Sequence, residues 1–369
     1  MKSKKYKILV LPSDRTGVSK FRSVDPHTYL QKMYPEEFWV DIKYDPPYTD
    51  DEWWKQYDLV HYHRSIGPDY DASKTIAKKL KKWGIPQIMD LDDYWLPTQD
   101  HPAHMMIKNG KVDVKIKDML RISQYVTTTT TEFASEISKL NKNVYIYPNA
   151  INHEEKQYIP NPVHSNKVRV GWLGGSSHIK DMEILNGVVQ RLHNDRGGKF
   201  QTVLCGYDLR GSMTIMDEKT GKQTQRPITP KESVWYKYEQ IMTDNYRIIG
   251  DESYKNELLS FKKKGIAGDI IEAGFHKKAL IVQDYGPYTI DCVNAFNKGG
   301  GFNDKGNALM VPKTKNHKLW FQYIKKCIDN PNFVKDLGER LYETVFPRYT
   351  LETVTRERAE FYREIIRKS

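Results

Sequence analysis

A glycine turn followed by basic residues stands near the middle of the chain. Gly171–Asp181 reads Gly-Trp-Leu-Gly-Gly-Ser-Ser-His-Ile-Lys-Asp and runs from a predicted strand into a predicted helix. Glycines let a backbone approach a phosphate closely, free N–H groups at a helix start attract an anion, and a lysine adds a positive charge. The turn therefore predicts a diphosphate site formed by Gly174, Gly175, Ser176, His178 and Lys180. An ordinary strand-to-helix connection is the alternative, because the turn has neither the GxGxxG nor the Walker pattern.

An acidic group follows another predicted strand. Met89–Trp95 reads Met-Asp-Leu-Asp-Asp-Tyr-Trp and holds three carboxylates within four residues. Residues just after the strands of a parallel sheet face the ligand crevice, which favours a functional role. The carboxylates would hold Mg²⁺ or Mn²⁺ against phosphates or contact substrate hydroxyls, and capping of the next turn is the structural alternative. Asp92 and Asp93 are the candidate catalytic residues.

Two further strand ends carry polar groups. The turn Pro12–Lys20 follows the first predicted strand, and its Asp14, Arg15 and Gly17 are expected to face the same crevice. His63 ends another strand and shares one face with His61, which fits either a site or a half-buried strand with a polar face. Asp14, Arg15, Gly17 and His63 are therefore the candidate residues of this cleft. No residue is assigned as a metal ligand.

A buried-looking glutamate stands in the second half of the chain. Glu272 lies in the apolar segment Ile270–Phe275, directly before the predicted strand Ala279–Val282. A glutamate there can accept hydrogen bonds from the two hydroxyls of a ribose. A structural glutamate that caps a helix or pairs with a lysine is the alternative.

The elements that must position these residues alternate between strands and helices, which is typical of βαβ units and a parallel sheet. The predicted strands are Tyr6–Leu11, Leu59–His63, Gln87–Asp90, Tyr125–Thr128, Asn143–Tyr147, Val168–Leu173, Gln201–Cys205, Tyr246–Ile249, Ala279–Val282 and Ala308–Val311. The predicted helices are Lys20–Met33, Ser73–Trp83, Glu132–Leu140, Lys180–His193, Ser233–Met242, Tyr254–Lys263, Ile270–His276 and Leu351–Arg367. Asp208–Pro230 is interpreted as a loop or a hairpin.

The composition excludes several classes of protein. The chain has 369 residues, of which 38% are hydrophobic and 12% aromatic, so it can build packed cores and exceeds one small domain. Its apolar runs are far shorter than the roughly 20 residues of a membrane-spanning helix, and no signal peptide is recognised at its start. Three widely spaced cysteines fit neither a disulfide framework nor a CxxC metal site. These features predict a cytoplasmic protein without a membrane span.

The charge is strongly positive. A net charge of +11 favours anionic partners such as nucleic acid, nucleotides or acidic lipid head groups, and solvated lysine faces are the alternative. A basic rim on the first half of the chain would suit a polyanion and consists of Lys74, Lys78, Lys81, Lys82, Lys108, Lys111, Lys115 and Lys117.

The segment Asn152–Asn166 is the candidate linker, because it contains two prolines and no hydrophobic period. We therefore expect one domain over residues 1–155, a second over 166–345 and a C-terminal helix within 346–369. The expected fold class is α/β, with two tandem Rossmann-like, doubly wound domains.

With these pieces in order, the chain resembles the GT-B glycosyltransferases, specifically the large retaining group 1 family (family 4) that uses nucleotide sugars. Residues 122–133 and 143–151, with the turn Pro148-Asn149-Ala-Ile, are similar to the end of the family's N-terminal domain. Val170-Gly-Trp-Leu-Gly is similar to the opening of its C-terminal domain. The resemblance implies two domains that face a cleft, with the last helix crossing back to the first domain.

The resemblance also implies residue roles. Lys180 stands where the family places a lysine on the donor diphosphate, Glu272 would grip the donor ribose, and the loop with Tyr285 and Gly286 lines the nucleotide. Gly175 stands where the family has an arginine, Lys264 where it has the first glutamate of its E-x7-E signature, and Asp92 where it has its catalytic histidine. This chain is therefore interpreted as a divergent member.

These features predict a glycosyltransferase that moves a sugar from a nucleotide-diphosphate sugar to an acceptor hydroxyl, with retention implied by the family. The nucleotide sugar is a co-substrate, no cofactor is expected to be tightly bound, and Mg²⁺ is compatible with the acidic group but not required. The acceptor is modified DNA, a glycan or a lipid-linked glycan. The alternatives are a catalytically inactive GT-B-fold module that binds glycan or nucleic acid, and a nucleotide-sugar epimerase of the same architecture.

Overall fold

The chain divides into two compact units. The computed structural model describes residues 5–15, 17–99, 104–160, 165–175, 178–207, 212–216, 223–243, 258–262, 270–313 and 317–369. One unit comprises Met1–Ile159 together with Val345–Ser369, and the other comprises Pro160–Thr344. The boundary between Ile159 and Pro160 falls within the candidate linker.

The first unit is built on a six-stranded sheet with the strand order β2-β1-β3-β4-β5-β6, in which all neighbours are parallel. The strands are β1 (Tyr6–Leu11), β2 (Phe38–Ile42), β3 (Leu59–His63), β4 (Gln87–Asp90), β5 (Tyr125–Thr128) and β6 (Val144–Ile146). The carboxyl ends of β1, β3 and β4 are adjacent, because β1 pairs with β3 and His63 is in register with Asp90.

The second unit contains two parallel sheets and a hairpin. A three-stranded sheet has the order β11-β8-β7, and a two-stranded sheet pairs β12 with β13. β9 and β10 form an antiparallel pair. The strands are β7 (Val168–Gly175), β8 (Phe200–Tyr207), β9 (Ser212–Met216), β10 (Gln223–Pro227), β11 (Leu258–Lys262), β12 (Ile281–Asp284) and β13 (Leu309–Pro312).

Helices connect these strands. Those of the first half are α1 (Gly17–Ser19), a π-helical turn (Lys20–Val24), α2 (Asp25–Met33), α3 (Asp51–Lys55), α4 (Tyr70–Lys82), α5 (His104–Asn109), α6 (Val112–Ile122) and α7 (Thr131–Ile137). Those that follow are α8 (Ile179–Glu183), α9 (Val188–Arg196), α10 (Val234–Met242), α11 (Ile270–Phe275), α12 (Tyr288–Asp291), α13 (His317–Asp329), α14 (Pro331–Val345) and α15 (Leu351–Arg367). Short 3₁₀ turns occur at Lys156–Tyr158 and Pro230–Glu232.

The first sheet is covered on both faces, which explains why every residue of its central strands β3 and β4 is buried, including the polar His61, His63, Gln87 and Asp90. Successive side chains of β1 alternate between two cores: Leu9 and Leu11 belong to the core beneath α4 and α6, and Ile8 and Val10 to the core beneath α2 and α15. Burial of each such side chain is worth about 1.5–3 kcal/mol. α15 therefore belongs to the first unit, although it comes last in the chain.

The predicted elements are confirmed where hydrophobic patterns are strong and wrong where they are not. β1, β3, β4, β5 and α15 have the predicted bounds. The predicted helix Tyr254–Lys263 is wrong, because Leu258–Lys262 is strand β11, and pairing with β8 outweighs a local pattern that is short and ambiguous. The predicted strand Tyr246–Ile249 lies outside the described residues.

Other elements were missed or divided. The sequence did not predict β2, α3, α5 or α6. The predicted helix Lys180–His193 is two helices, α8 and α9, because the chain turns at Gly187, which has a φ of 76°. The interpretation of Asp208–Pro230 as a hairpin agrees with the pairing of β9 and β10.

Candidate functional site

Asp92 lies at the carboxyl edge of the first unit's sheet, two residues after β4. Its Oδ1 atom is 2.9 Å from His63 Nε2 and 2.9 Å from Arg64 Nη2. His63 is the last residue of β3 and Arg64 follows it directly, so the parallel pairing of β3 with β4 brings both side chains to Asp92. The φ of 64° at Arg64 is a backbone conformation that non-glycine residues rarely adopt.

Two neighbours keep the Asp92 carboxylate ionised. Burial alone would raise the pKa of Asp92, but the hydrogen bond from His63 and the positive charge of Arg64 outweigh burial and lower that pKa well below the usual range. An ionised carboxylate only accepts hydrogen bonds, so Nε2–H of His63 is the donor. The result is a fixed anion at the strand ends.

Ser13 extends this group to the end of β1. Its Oγ atom is 2.7 Å from His63 Nδ1, and the hydroxyl donates to Asp14 Oδ2 at 2.9 Å. The backbone N–H of Asp14 donates to Ser19 Oγ at 3.1 Å, which ties the loop to α1. Ser13, His63 and Asp92 thus form one hydrogen-bonded chain across the ends of β1, β3 and β4.

Asp93 is the exposed member of the acidic group. Its Oδ2 atom is 2.5 Å from Arg64 Nη2, so one guanidinium holds both carboxylates of the pair. The Asp93 side chain is 75% exposed, against 12% for Asp92. The Asp93 carboxylate is therefore accessible to solvent, whereas the Asp92 carboxylate is largely buried.

Asp90 is separated from the other two carboxylates. It is fully buried and accepts two hydrogen bonds from Arg22, and its Oδ1 also accepts one from Thr127 Oγ1 at 2.6 Å. Arg22 Nη1 donates in addition to the carbonyl oxygen of Tyr147 at 2.6 Å. Asp90 thus stabilises the strand ends from inside. Of the three carboxylates, Asp93 is exposed, Asp92 is largely buried and Asp90 is fully buried.

The other cleft candidates of the first unit, Asp14, Arg15 and Gly17, differ in their contacts. Asp14 belongs to the group around His63, as described above. The Arg15 guanidinium lies over the ring of Tyr44 at 4.0 Å, and Gly17 begins α1. Among the described residues, no contact joins Arg15 or Gly17 to Asp92. The structure therefore brings together Asp14, His63, Asp92 and Asp93 of the predicted first-domain residues.

In the second unit, Gly174 and Gly175 end β7. A Cβ atom at Gly174 would lie 2.7 Å from the ring of Trp172, so a larger residue would displace that ring. No described atom lies within 4 Å of the Cβ position at Gly175, and its carbonyl oxygen accepts a hydrogen bond from the Tyr238 hydroxyl at 3.1 Å. The Tyr238 hydroxyl therefore fixes the backbone at Gly175, and the space on its Cβ side is open to a ligand.

The residues after this turn start α8. His178 Nδ1 is 2.8 Å from Asp181 Oδ2, and Lys180 is exposed. Ser176 lies outside the described residues. The predicted diphosphate site thus consists of two glycines at the end of β7, a histidine just before α8 and an exposed lysine in α8.

The remaining donor-side candidates lie on other elements of the second unit. Glu272 is buried in α11, with 3% of its surface exposed. Tyr285 follows β12 and is exposed, and the Lys313 ammonium lies 4.0 Å from the centre of its ring. Gly286 has a φ of 52°, which favours glycine at this turn.

Two searches across the described parts of the chain gave negative results. No group of three or more histidine, cysteine, aspartate or glutamate residues there is arranged to hold a metal ion. No helix there is both long and apolar enough to cross a membrane.

Comparison with known proteins finds similarity at the level of structure. No family model and no curated protein matches the sequence. Among solved structures, Anabaena Alr3699/HepE in complex with UDP matches with a TM-score of 0.59 and 13% identity, covering 98% of this chain and 100% of that one. A glycosyltransferase from Rickettsia africae ESF-5 matches with a TM-score of 0.57 and 14% identity, covering 99% and 100%. The fold is GT-B.

A third match extends this likeness within GT-B proteins. An alpha-glucosyltransferase in complex with UDP-glucose and DNA containing an abasic site matches with a TM-score of 0.50 and 10% identity, covering 97% of this chain and 99% of that one. At these identities the likeness establishes the GT-B fold, and the roles of individual residues must be argued from their own contacts.

Sequence reasoning missed three residues at the strand ends around Asp92 and Asp90 in the first unit. Ser13 and Arg64 contact His63 and Asp92 directly, and Arg22 holds Asp90 from inside. Ser13 and Arg64 each lie within two residues of a predicted strand end, so the same rule that selected Asp92 would have found them. No local signal marks Arg22, which lies 68 residues from its partner.

Proposed function

We propose that this chain is a glycosyltransferase that moves a sugar from a nucleotide-diphosphate sugar to an acceptor hydroxyl, with retention of anomeric configuration. The GT-B fold supports the proposal, since it matches over nearly the whole chain and two of the matched structures contain UDP or UDP-glucose. Fold alone does not assign chemistry, so the proposal depends on the residues at the strand ends.

The observation that carries the proposal is the ionised carboxylate of Asp92, held by His63 and Arg64 at the carboxyl edge of the first sheet. Such a carboxylate accepts hydrogen bonds from hydroxyl groups in a fixed direction. We assign Asp92, with the exposed Asp93 beside it, to orient either the acceptor hydroxyl or a hydroxyl of the transferred sugar. Asp14, Arg15, Gly17 and His63 are assigned to the acceptor side.

We assign the donor to the second unit. Gly174, Gly175, Ser176, His178 and Lys180 would stabilise the diphosphate, whose negative charge grows as the bond to the sugar breaks. The open space beside Gly175 and the exposure of Lys180 support this assignment. Glu272 would accept hydrogen bonds from the ribose hydroxyls, and Tyr285 and Gly286 would line the nucleotide.

The proposal includes no tightly bound cofactor and no required metal. A lysine and the N–H groups of a glycine turn can stabilise a leaving diphosphate without a divalent cation. Mg²⁺ remains compatible with Asp92 and Asp93, and assays with Mg²⁺ and with EDTA separate the two cases. The proposed acceptor is a glycan or DNA, and the DNA in one matched complex supports including duplex DNA among the acceptors tested.

The test is a donor screen with the full chain. UDP-, GDP-, ADP- and CDP-sugars are supplied with Mg²⁺ or EDTA, with and without glycan and DNA acceptors, and released nucleoside diphosphate is measured. We expect release from one donor class, loss of that release in Lys180→Ala and Glu272→Ala, and no change in the exposed control Lys335→Ala. NMR of the product reports the anomeric configuration.

Three results would overturn the proposal. Donor binding without turnover under any condition would favour a binding module. Conversion of the donor to an epimer without acceptor would favour an epimerase. Absence of both binding and turnover across the panel would mean that the glycine turn and Glu272 are structural.

A further inference from the structure

The region that follows the candidate site exposes apolar side chains beside lysines. Met105 on α5 is 59% exposed, Met106 is 70% exposed, and Val114 on α6 is 56% exposed. Val112 is exposed as well. Soluble surfaces usually scatter such residues singly, so four exposed apolar residues within ten positions of the sequence favour a partner for this segment.

Lysines alternate with these apolar residues along the segment. Lys108, Lys111 and Lys115 are exposed, and no ion pair within the described chain involves any of them. Asp113 is the one acidic residue between His104 and Lys117, and it already pairs with Lys117 at 3.5 Å. We call residues 105–117 with these side chains the methionine–lysine surface. It combines exposed apolar area with lysines that form no ion pair among the described residues.

The two helices are fixed to the unit through their other sides. His104 Nδ1 bonds the carbonyl oxygen of Pro97 at 2.7 Å, and Met119 and Leu120 are buried in the core beneath α4 and α6. The segment therefore already packs on the first unit while the two methionines remain exposed. They lie on the outer side of a segment that is already anchored.

The methionine–lysine surface lies towards the carboxyl edge of the first sheet. α6 ends three residues before β5 begins, so its last turn is at the amino edge of the sheet and its first turn is towards the carboxyl edge. α5 is tied to Pro97, five residues after Asp92. The surface therefore belongs to the same side of the first unit as the Asp92 group.

We propose that the methionine–lysine surface binds the surface of an anionic lipid bilayer. Methionine and valine side chains would enter the boundary between head groups and acyl chains, while the long lysine stems let their ammonium groups reach lipid phosphates. Uncompensated lysines favour an anionic bilayer over a neutral one. A protein groove would not need three unpaired lysines, and a DNA backbone would not need the methionines. This binding goes beyond the proposed function and does not depend on it.

Vesicle flotation tests the proposal with the full chain. The vesicles are pure phosphatidylcholine, or phosphatidylcholine with about one third phosphatidylglycerol. We expect binding to the anionic vesicles to be at least about tenfold tighter than to the neutral ones, and to weaken as salt rises. Retention of the protein in the unbound fraction with anionic vesicles would overturn the proposal.

Two variants separate the apolar and charged contributions. Met105→Ser/Met106→Ser and Lys108→Gln/Lys111→Gln/Lys115→Gln are each expected to weaken binding to anionic vesicles by about tenfold or more. The matched control Lys78→Gln/Lys81→Gln/Lys82→Gln removes the same charge from exposed positions of α4 and is expected to bind as wild type. Thermal melting checks folding, and Met106→Gln alone replaces the double variant if the latter is unstable.

Nucleic acid is the competing partner, and its outcome is distinct. A short DNA duplex is titrated with the same proteins. Binding of the duplex that falls in the Lys108/Lys111/Lys115 variant, is unchanged in the methionine variant and occurs without vesicle binding would overturn the proposal in favour of DNA. Equal losses of vesicle binding in the α4 control and in the lysine variant would also overturn it.

Discussion

Arg22 and Asp90 form a buried, two-point ion pair next to the candidate site. Arg22 Nε is 2.9 Å from Asp90 Oδ2, Nη2 is 2.6 Å from Oδ1, and both side chains are at most 1% exposed. Burial alone would raise the pKa of Asp90, but the charge and hydrogen bonds of Arg22 outweigh it and lower that pKa. The pair fixes the end of β4, from which Asp92 follows two residues later.

Removing one member of this pair should be costly. Arg22→Met leaves the Asp90 carboxylate buried without its cation, and we expect the free energy of unfolding to fall by about 3–5 kcal/mol. Urea unfolding measures the loss. The control is Arg363→Met, which breaks a two-point pair with Glu37 that is partly exposed and is expected to cost about 1 kcal/mol or less. Equal losses in the two variants would contradict this account of the buried pair.

The buried histidines predict acid sensitivity. The rings of His27 and His61 lie 4.4 Å apart, and burial, with nearby positive groups, lowers the pKa of each well below its usual value. In the unfolded chain both would take up protons near pH 6.5. Their contribution to stability is therefore complete above about pH 6.5 and is lost as the pH falls below it, by up to about 2.7 kcal/mol per pH unit for two protons.

A single substitution tests that assignment. Neither ring nitrogen of His61 has a hydrogen-bond partner among the described residues, so His61→Leu removes a proton-binding site without breaking a hydrogen bond. We expect the slope of unfolding free energy against pH, between about pH 5 and 6, to fall by up to about 1.4 kcal/mol per pH unit, the effect of one proton. His317→Gln, at an exposed position, serves as the control and should leave the slope unchanged. An unchanged slope in His61→Leu would contradict the assignment.

Close packing around Gly338 in the second unit predicts that a larger residue there destabilises the fold. A Cβ atom at Gly338 in α14 would lie 2.2 Å from the carbonyl oxygen of Lys277, and a backbone atom cannot move aside as a flexible side chain can. Gly338→Ala should lower the free energy of unfolding by about 1–3 kcal/mol, although alanine favours a helix by about 1 kcal/mol. Gly299→Ala, with no described atom within 4 Å of its Cβ position, is the control and should cost little.

His63 is fully buried, so its contribution to the acceptor side should be made through its hydrogen bond to Asp92. Loss of its hydrogen bond in His63→Ala removes a cause that lowers the pKa of Asp92. We expect turnover to fall and its acid limb to move to higher pH, because Asp92 would then take up a proton more readily. A pH–rate profile measures this. A drop in turnover with an unmoved acid limb would indicate a purely structural role.

The sequence predicts best what short-range patterns determine. β1 has its predicted bounds, because the continuous apolar run Ile8–Leu11 before a polar turn has few alternatives. Asp92 and His63 could be selected because each lies at a strand end. α6 was missed, since its lysines obscure the apolar residues that pack inward.

Contacts between residues far apart in the chain could not be predicted from the sequence. Ser13 and His63 are 50 residues apart, and Arg22 and Asp90 are 68 apart, so no local pattern relates them. The pairing of β11 with β8 likewise depends on the assembled sheet and reverses the local preference for helix. These contacts exist only after the parallel strands have set the register.

The central claim is that Asp92, ionised and held by His63 and Arg64, orients a hydroxyl during sugar transfer. The most direct measurement is the rate of nucleoside diphosphate release by wild type and Asp92→Asn, with the donor found in the screen. Asparagine keeps an oxygen for His63 and removes the charge, so we predict a rate lower by about 10²–10⁴-fold, with donor affinity and thermal midpoint nearly unchanged. Asp71→Asn, an exposed control on α4, should react as wild type. Release by Asp92→Asn at the wild-type rate would contradict the claim.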